Sequence, residues 1–263
     1  MKKAALHNLG CKVNGYETEA MQKLLEEDGY EIVPFHEKAD VYVINTCTVT
    51  NIADRKSRQM LHRARKLNPE AVIVAAGCYV QAQEEAGQAI EGIDILIGNN
   101  QKKNLISLLH AHEQHEDIKA VIDINHTGEF EELYVDSAGD HTRAYIKIQD
   151  GCNQFCTYCI IPYVRGRIRS RQPEEIVKEV ERLADAGYQE VVLTGIHASS
   201  YGVDFVNPKM DLDSWVTMEG EKKDLLYLIQ QIHKVEGIRR IRLSSIEPRI
   251  ITEKFAKELA KLP

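Results

Sequence analysis

Short apolar runs alternate with stretches of helical periodicity from the start of the chain. Residues 3–9, 41–45, 71–76 and 94–97 are apolar and of strand length, and the middle two are rich in β-branched side chains. Between them, residues 17–28 place Met21, Leu24 and Leu25 at helical spacing and stop at Gly29. Residues 52–67 read as a basic helix that ends before Pro69, and residues 104–110 begin a closing helix. Continuous apolar strands separated by helices predict a parallel sheet covered on both faces.

The pattern weakens over residues 112–141, where acids and histidines accumulate and only 121–124 resembles a strand. This predicts a first domain over 1–115, a linker over 116–141 and a second domain over 142–263. The histidines here, His110, His112, His115 and His126, have some character of a metal site, but solvated linker residues are the simpler reading. Periodicity then returns. Strands are expected at 144–148, 190–194 and 241–244, and helices at 174–186 and 225–232. Ile176, Val177, Val180 and Leu183 form the apolar stripe of the first helix, and Thr252 caps a last one through residue 262. The fold class is therefore α/β, a parallel sheet domain followed by a β/α barrel whose chemistry sits in the loops after its strands. Three units do not close a barrel, so a partial barrel in a shortened chain is expected.

Composition narrows the class. Hydrophobic residues make up 43% and charged residues 28% of 263, which are globular proportions. A net charge of −7 argues against a general nucleic-acid coat but leaves local basic patches open. Met1-Lys2-Lys3 resembles the start of a signal peptide, yet Leu6-His7-Asn8 breaks the apolar stretch at once. No apolar run reaches membrane-spanning length. A cytoplasmic location is expected, where six cysteines would bind metal or do redox chemistry.

Three of them, Cys152, Cys156 and Cys159, stand in a C-x3-C-x2-C loop after a predicted strand. Three thiolates so close can hold three corners of a four-iron cluster and leave one iron open. A zinc site is the alternative, with His197 as the fourth ligand. The others, Cys11, Cys47 and Cys78, each follow a predicted strand, and in a parallel sheet those ends lie together. They are either three buried thiols or the ligands of a second cluster, and the shared context favours the cluster.

Residues 149–167, from Gln149-Asp150-Gly151-Cys152 through Cys156-Thr157-Tyr158-Cys159 to Arg165-Gly166-Arg167, resemble the signature of radical S-adenosylmethionine (SAM) enzymes, and among them the methylthiotransferases. The resemblance implies a 4Fe–4S cluster on Cys152, Cys156 and Cys159, with SAM on the open iron. Tyr158 matches a position beside the SAM adenine, with core packing as its plainer role. Thr194-Gly195-Ile196-His197 matches a segment that backs the methionine moiety, for which a turn is the plainer reading. Ser245 and Glu247 could bond the ribose or the amine, or serve a helix-entry turn.

Gly10-Cys11-Lys12-Val13-Asn14, Asn45-Thr46-Cys47-Thr48-Val49-Thr50 and Ala76-Gly77-Cys78 resemble the three amino-terminal motifs of the tRNA methylthiotransferases. That likeness implies an auxiliary 4Fe–4S cluster that delivers sulfur. The wording around Cys11 and Cys47 is similar to the branch acting on N6-threonylcarbamoyladenosine in tRNA. The resemblance implies further barrel strands and an RNA-binding TRAM domain, which are expected to lie outside this shortened chain, and residues 203–223, with Trp215, are longer than the family's usual connection.

The resemblance therefore implies an enzyme that inserts a methylthio group at adenine C2, with SAM as both radical source and methyl donor. It implies the tRNA anticodon stem-loop as partner and an electron donor such as flavodoxin or ferredoxin. Rivals are the same chemistry on isopentenyladenosine or a protein residue, and a zinc-bound RNA-binding module. For RNA contact, Arg165, Arg167, Arg169 and Arg171 alternate and would share one side of an extended segment. Arg55, Lys56, Arg58, Arg63, Arg65 and Lys66 give the helix after Cys47 a basic surface. Either set could instead be merely solvated.

Overall fold

The computed structural model describes residues 1–114, 119–135 and 143–262. They form two compact units: Met1–Asn125 with Tyr158–Arg165, and His126–Thr157 with Gly166–Pro263.

The first unit is built on a six-stranded sheet, all parallel, in the order β2-β1-β3-β4-β5-β6. Its elements run β1 (Lys3–Asn8), α1 (Lys12–Glu27), β2 (Glu31–Ile32), β3 (Val41–Thr46), α2 (Asn51–Leu67), β4 (Val72–Gly77), α3 (Cys78–Glu85), β5 (Ile95–Ile97), α4 (Leu105–Glu113) and β6 (Lys119–Ala120). Side chains alternate between the faces of the sheet. Ala4, Val41, Val43, Val74 and Ile95 pack on Met21 and Leu25 of α1 and on Leu105 and Leu109 of α4. Ala5, Tyr42, Ile44, Ile73 and Ala75 pack on Leu61 and Ala64 of α2 and on Tyr79 and Val80 of α3. Both faces are thus sealed, which is why the central strands read as unbroken apolar runs. Burying each such Leu or Ile contributes about 1.5–3 kcal/mol. A sheet of this order has its topological switch between β1 and β3, and ligands bind beyond the carboxyl ends of such strands.

The second unit holds a four-stranded sheet in the order β10-β9-β7-β8. Its strands are β7 (Ala144–Asp150), β8 (Arg169–Ser170), β9 (Glu190–Gly195) and β10 (Arg240–Leu243). The β7, β9 and β10 strands are parallel, and β8 runs antiparallel to β7. Its main helices are α6 (Pro173–Asp185), α9 (Leu225–Ile232) and α10 (Glu253–Leu259). The short helices are α5 (Ile161–Val164), which groups with the first unit, and α7 (Val203–Val206) and α8 (Leu212–Thr217). Ile146, Ile148, Val191 and Leu193 share a core with Ile176, Val180 and Leu183 of α6 and with Leu228, Ile229 and Ile232 of α9. Trp215 is buried in the same core, so the long connection over residues 203–223 carries two short helices, Val203–Val206 and Leu212–Thr217, and packs on the unit.

The expected linker also differs from what forms. Lys119–Ala120 joins the first sheet beside β5, in place of the strand expected over 121–124, and Ile124 is fully buried. Leu133 and Val135 are buried, and Tyr134 lies under the guanidinium groups of Arg171 and Arg182. The division at 115 and 142 therefore gives way to one near residue 125, because both halves of the segment find partners. His115 and residues 136–142 of that segment lie outside the described residues.

Candidate metal centres

The strands of the first sheet end in register. Asn8 pairs with Asn45, and Thr46 with Gly77, so the chain leaves β1, β3 and β4 at one edge. The next residues are the loop to Cys11, then Cys47, then Cys78. Gly10 and Gly77 stand before two of these cysteines, at φ of +106° and +94°. A Cβ on Gly10 would lie 2.9 Å from Cys47 Sγ, and one on Gly77 would lie 2.6 Å from Asn45 Oδ1. Both positions need glycine for backbone conformation and for space. Cys11 caps α1 and Cys78 opens α3, which sets both thiols at helix amino termini, where negative charge is favoured.

Asn14 ties the loops together. Its Nδ2 donates to Leu9 O at 2.7 Å and to Thr46 O at 3.0 Å. Ser57 holds Cys47 from the other side, donating to its carbonyl at 2.9 Å and accepting from its N–H at 3.2 Å. Cys11 Sγ donates to Asn14 Oδ1 at 3.7 Å. Arg165 donates to the same Oδ1 through Nη2 and to Cys78 Sγ through Nε at 3.4 Å. Burial pushes the Cys47 thiol up, and the neighbouring Cys78 and Cys11 push it further. Thiolate sulfur is the donor that iron–sulfur clusters take, so these three cysteines fit such a group chemically.

Among the described residues, no three His, Cys, Asp or Glu side chains are already grouped to hold a metal ion. A single ion gathers its ligands to about 2.3 Å, whereas a cubane spreads three thiolates over separate corners. His197, the candidate fourth zinc ligand, has Nδ1 2.6 Å from Ser200 Oγ and Nε2 3.7 Å from Glu247.

The C-x3-C-x2-C loop leaves β7 through Gly151, at φ +74°, where a Cβ would fall 1.9 Å from Arg167 O. Thus Cys11, Cys78 and Cys152 are each preceded by a glycine that no other residue could replace without strain. Cys152 is buried and receives Gln154 N–H at 3.5 Å, whereas Cys156 is exposed and Cys159 half-buried. Phe155 lies in the left-handed region at φ +47°, a conformation that costs about 1–3 kcal/mol. The Arg167 guanidinium sits 4.3 Å from its ring centroid and helps to hold it. Asn153 fastens the loop, donating to Pro208 O at 2.8 Å and accepting from Ile168 N–H at 3.2 Å. That gives the 203–223 segment a structural task beside the loop.

Of the expected SAM contacts, Tyr158 is 93% exposed and therefore not core packing. Gly195 ends β9, where a Cβ would strike Gln149 Oε1 at 2.9 Å, and Gln149 Oε1 also accepts His197 N–H at 2.8 Å. Ser245 is exposed beyond β10. The Arg249 guanidinium grips the Glu247 carboxylate at 2.9 Å through both Nε and Nη2 and holds its pKa below the usual carboxylate range.

The arginine strip requires correction. Arg165, Arg169 and Arg171 are fully buried, and Arg167 alone is exposed. Arg165 pairs with Glu17 at 2.8 Å, Arg169 lies 3.8 Å from Asp150, and Arg171 bonds Glu179 and, at 3.0 Å, Glu132. Paired acids on neighbouring elements, which alternation cannot reveal, draw these arginines inward. On α2, Arg55, Lys56, Arg58, Arg63 and Lys66 are exposed, while Arg65 bonds Asp94 at 2.6 Å and the carbonyls of Pro69 and Ala71. Asn14, Glu17, Asn99 and Lys102 were not anticipated as site residues. For Asn14 and Glu17 the available signal is a polar residue on an otherwise apolar stripe of α1; Asn99 and Lys102 lie after β5 and carry no such signal.

Residues 3–98 match the family model described as uncharacterized protein family UPF0004, and residues 146–263 match the radical SAM superfamily. The threonylcarbamoyladenosine tRNA methylthiotransferase MtaB of Bacillus subtilis is 45% identical over 98% of this chain and 54% of its own length. The protein of the same name from Aquifex aeolicus is 38% identical over 99% of this chain and 59% of its own. A tRNA-2-methylthio-N(6)-dimethylallyladenosine synthase of Moorella thermoacetica is 36% identical over 96% of this chain and 55% of its own. The chain thus spans somewhat over half the length of these relatives. Among solved structures, the radical SAM methyltransferase TsrM of Kitasatospora setae, with tryptophan and a SAM analogue bound, superposes with a TM-score of 0.53. It does so at 14% identity, over all of this chain and 65% of that one, which speaks for the fold alone. The UPF0004 match and the radical SAM match each carry one cysteine trio, and over nearly its whole length the chain is similar to radical SAM methylthiotransferases of the MtaB kind.

Proposed function

We propose that this chain belongs to an enzyme that converts N6-threonylcarbamoyladenosine(37) of tRNA to its 2-methylthio form. The observation that carries the reading is the second thiol set, Cys11, Cys47 and Cys78, gathered at one sheet edge. Radical SAM chemistry in general asks only for the Cys152, Cys156 and Cys159 loop. A second open-cornered site fits a reaction that must also deliver sulfur. When bound, the two 4Fe–4S clusters and SAM supply the radical, the sulfur and the methyl group.

The residues of the chain hold, orient and shield. Gly10 and Gly77 let the backbone turn tightly beside Cys11, Cys47 and Cys78, and Gly151 does the same beside Cys152. Asn14 and Ser57 fix the loops that carry Cys11 and Cys47. Tyr158, exposed on its loop, offers a ring for the SAM adenine to stack on. Gly195, Ser245 and Glu247 follow or end barrel strands, the side on which such folds bind ligands. Arg167 and the exposed cations of α2 suit phosphates of the anticodon stem-loop, whose unstacked bases can be turned out toward a site. A small electron carrier such as flavodoxin or ferredoxin would act as reductant. A cytoplasmic setting follows from a tRNA substrate, and no described helix is long and apolar enough to cross a membrane.

The relatives named for dimethylallyladenosine keep a second reading open, the same reaction on isopentenyladenosine. Mass spectrometry of tRNA nucleosides from a strain lacking the full-length gene separates the two. The 2-methylthio form of threonylcarbamoyladenosine should vanish, and the full-length gene should restore it while a Cys47→Ala copy should not. Its persistence in the deletion strain, with loss of the methylthio isopentenyl nucleoside, would assign the other substrate.

A further inference from the structure

We propose that Arg165 is a positioning residue of the auxiliary cluster, hydrogen-bonded to the Cys78 thiolate and, with Glu17 and Lys102 behind it, setting that cluster's reduction potential. The inference rests on the two-cluster reading above. Arg165 belongs to the Tyr158–Arg165 segment, which also carries Cys159 and groups with the first unit. Its side chain is fully buried. One planar guanidinium there serves three partners: Nε donates to Cys78 Sγ at 3.4 Å, Nη1 to Glu17 Oε1 at 2.8 Å, and Nη2 to Asn14 Oδ1. A lysine ammonium cannot span that fork. Asn99 adds a second donor to Cys78 Sγ at 3.5 Å, and its Oδ1 accepts from Lys102 Nζ at 2.9 Å. Lys102 in turn lies 3.1 Å from Glu17, both completely buried. Two cations share one carboxylate directly behind a thiol. A thiolate-bound four-iron core carries net negative charge, and reduction makes it more negative. Hydrogen bonds to its sulfur and buried cations nearby therefore favour the reduced state, and a buried carboxylate opposes it.

The test uses this chain with Cys152, Cys156 and Cys159 replaced by Ala, reconstituted anaerobically with iron and sulfide, and titrated by EPR. About four irons per chain should bind. Arg165→Gln should make reduction harder by about tenfold in the equilibrium, ~59 mV for one electron, with altered g-values. Arg165→Lys, which keeps the charge but not the fork, should recover part of that shift. Glu17→Gln should move the potential in the opposite direction. A parent chain that binds no iron would overturn the two-cluster reading itself. Iron bound in full with unmoved potentials, or shifts of one sign in all three variants, would overturn the role of Arg165 alone. So would loss of iron from all three variants, since the thiolates suffice to hold the cluster in this account.

Discussion

Arg171 and Arg167 stand four positions apart and do different work. Arg171 is buried against Glu179 and Glu132, and its backbone carbonyl accepts the Tyr201 hydroxyl at 2.7 Å. Arg171→Ala leaves buried carboxylate without its cation, and a loss of about 3–5 kcal/mol in urea unfolding is expected. Arg167→Ala loses only a partly exposed contact with Phe155, which is worth about 0.5–1 kcal/mol. The same scale governs the glycines. Gly77→Ala drives a methyl into Asn45 and forces a residue other than glycine to φ +94° beside Cys78. Iron bound by the reconstituted chain should fall by about half, counted by metal analysis, while the Cys152 loop keeps its share. The cysteines themselves were readable from spacing and from their places after strands. Arg165 was not, because its partner Glu17 is 148 residues away in the chain and alternation placed the arginine on a surface.

Among the elements, the long apolar strands and the amphipathic helices were legible, since burial on both faces leaves an unmistakable run. The two-residue strands β2 and β8 were not, because so short a pairing has no period. Helix α3 leaves no sequence signal, because its apolar positions, Tyr79 and Val80, are adjacent and give no helical stripe. The apolar spacing places the start of α1 at Glu17, whereas the helix begins at Lys12 and holds Asn14 in its first turn. Helix α2 shows how one element divides its charges: Arg65 anchors it through Asp94, and Arg55, Lys56, Arg58, Arg63 and Lys66 face solvent. Arg55→Glu with Arg58→Glu should weaken binding of an anticodon stem-loop and flatten its salt dependence by about 0.7–0.9 in log–log slope per lost phosphate contact. Unfolding free energy should change little, which a urea titration checks.

For the whole molecule, pH dependence follows from two histidines. His7 and His197 are held below the ordinary value of 6.5, mainly by burial, which favours the neutral ring. The unfolded chain therefore takes up protons at a higher pH than the folded one. Stability should be full above pH 6.5 and decline as the pH falls below it. Urea midpoints between pH 7.5 and 5.5 test this, and His197→Gln should lessen the slope. Two cysteine trios in one chain are proposed to hold two separate iron–sulfur clusters. The most direct test is anaerobic iron and acid-labile sulfide analysis of three proteins: the unaltered chain, a chain with Cys11, Cys47 and Cys78 replaced by Ala, and a chain with Cys152, Cys156 and Cys159 replaced. About eight irons and eight sulfides are expected in the first and about four of each in the other two. About four in the unaltered chain, unchanged when Cys11, Cys47 and Cys78 are removed, or zinc without sulfide, would contradict the two-cluster reading.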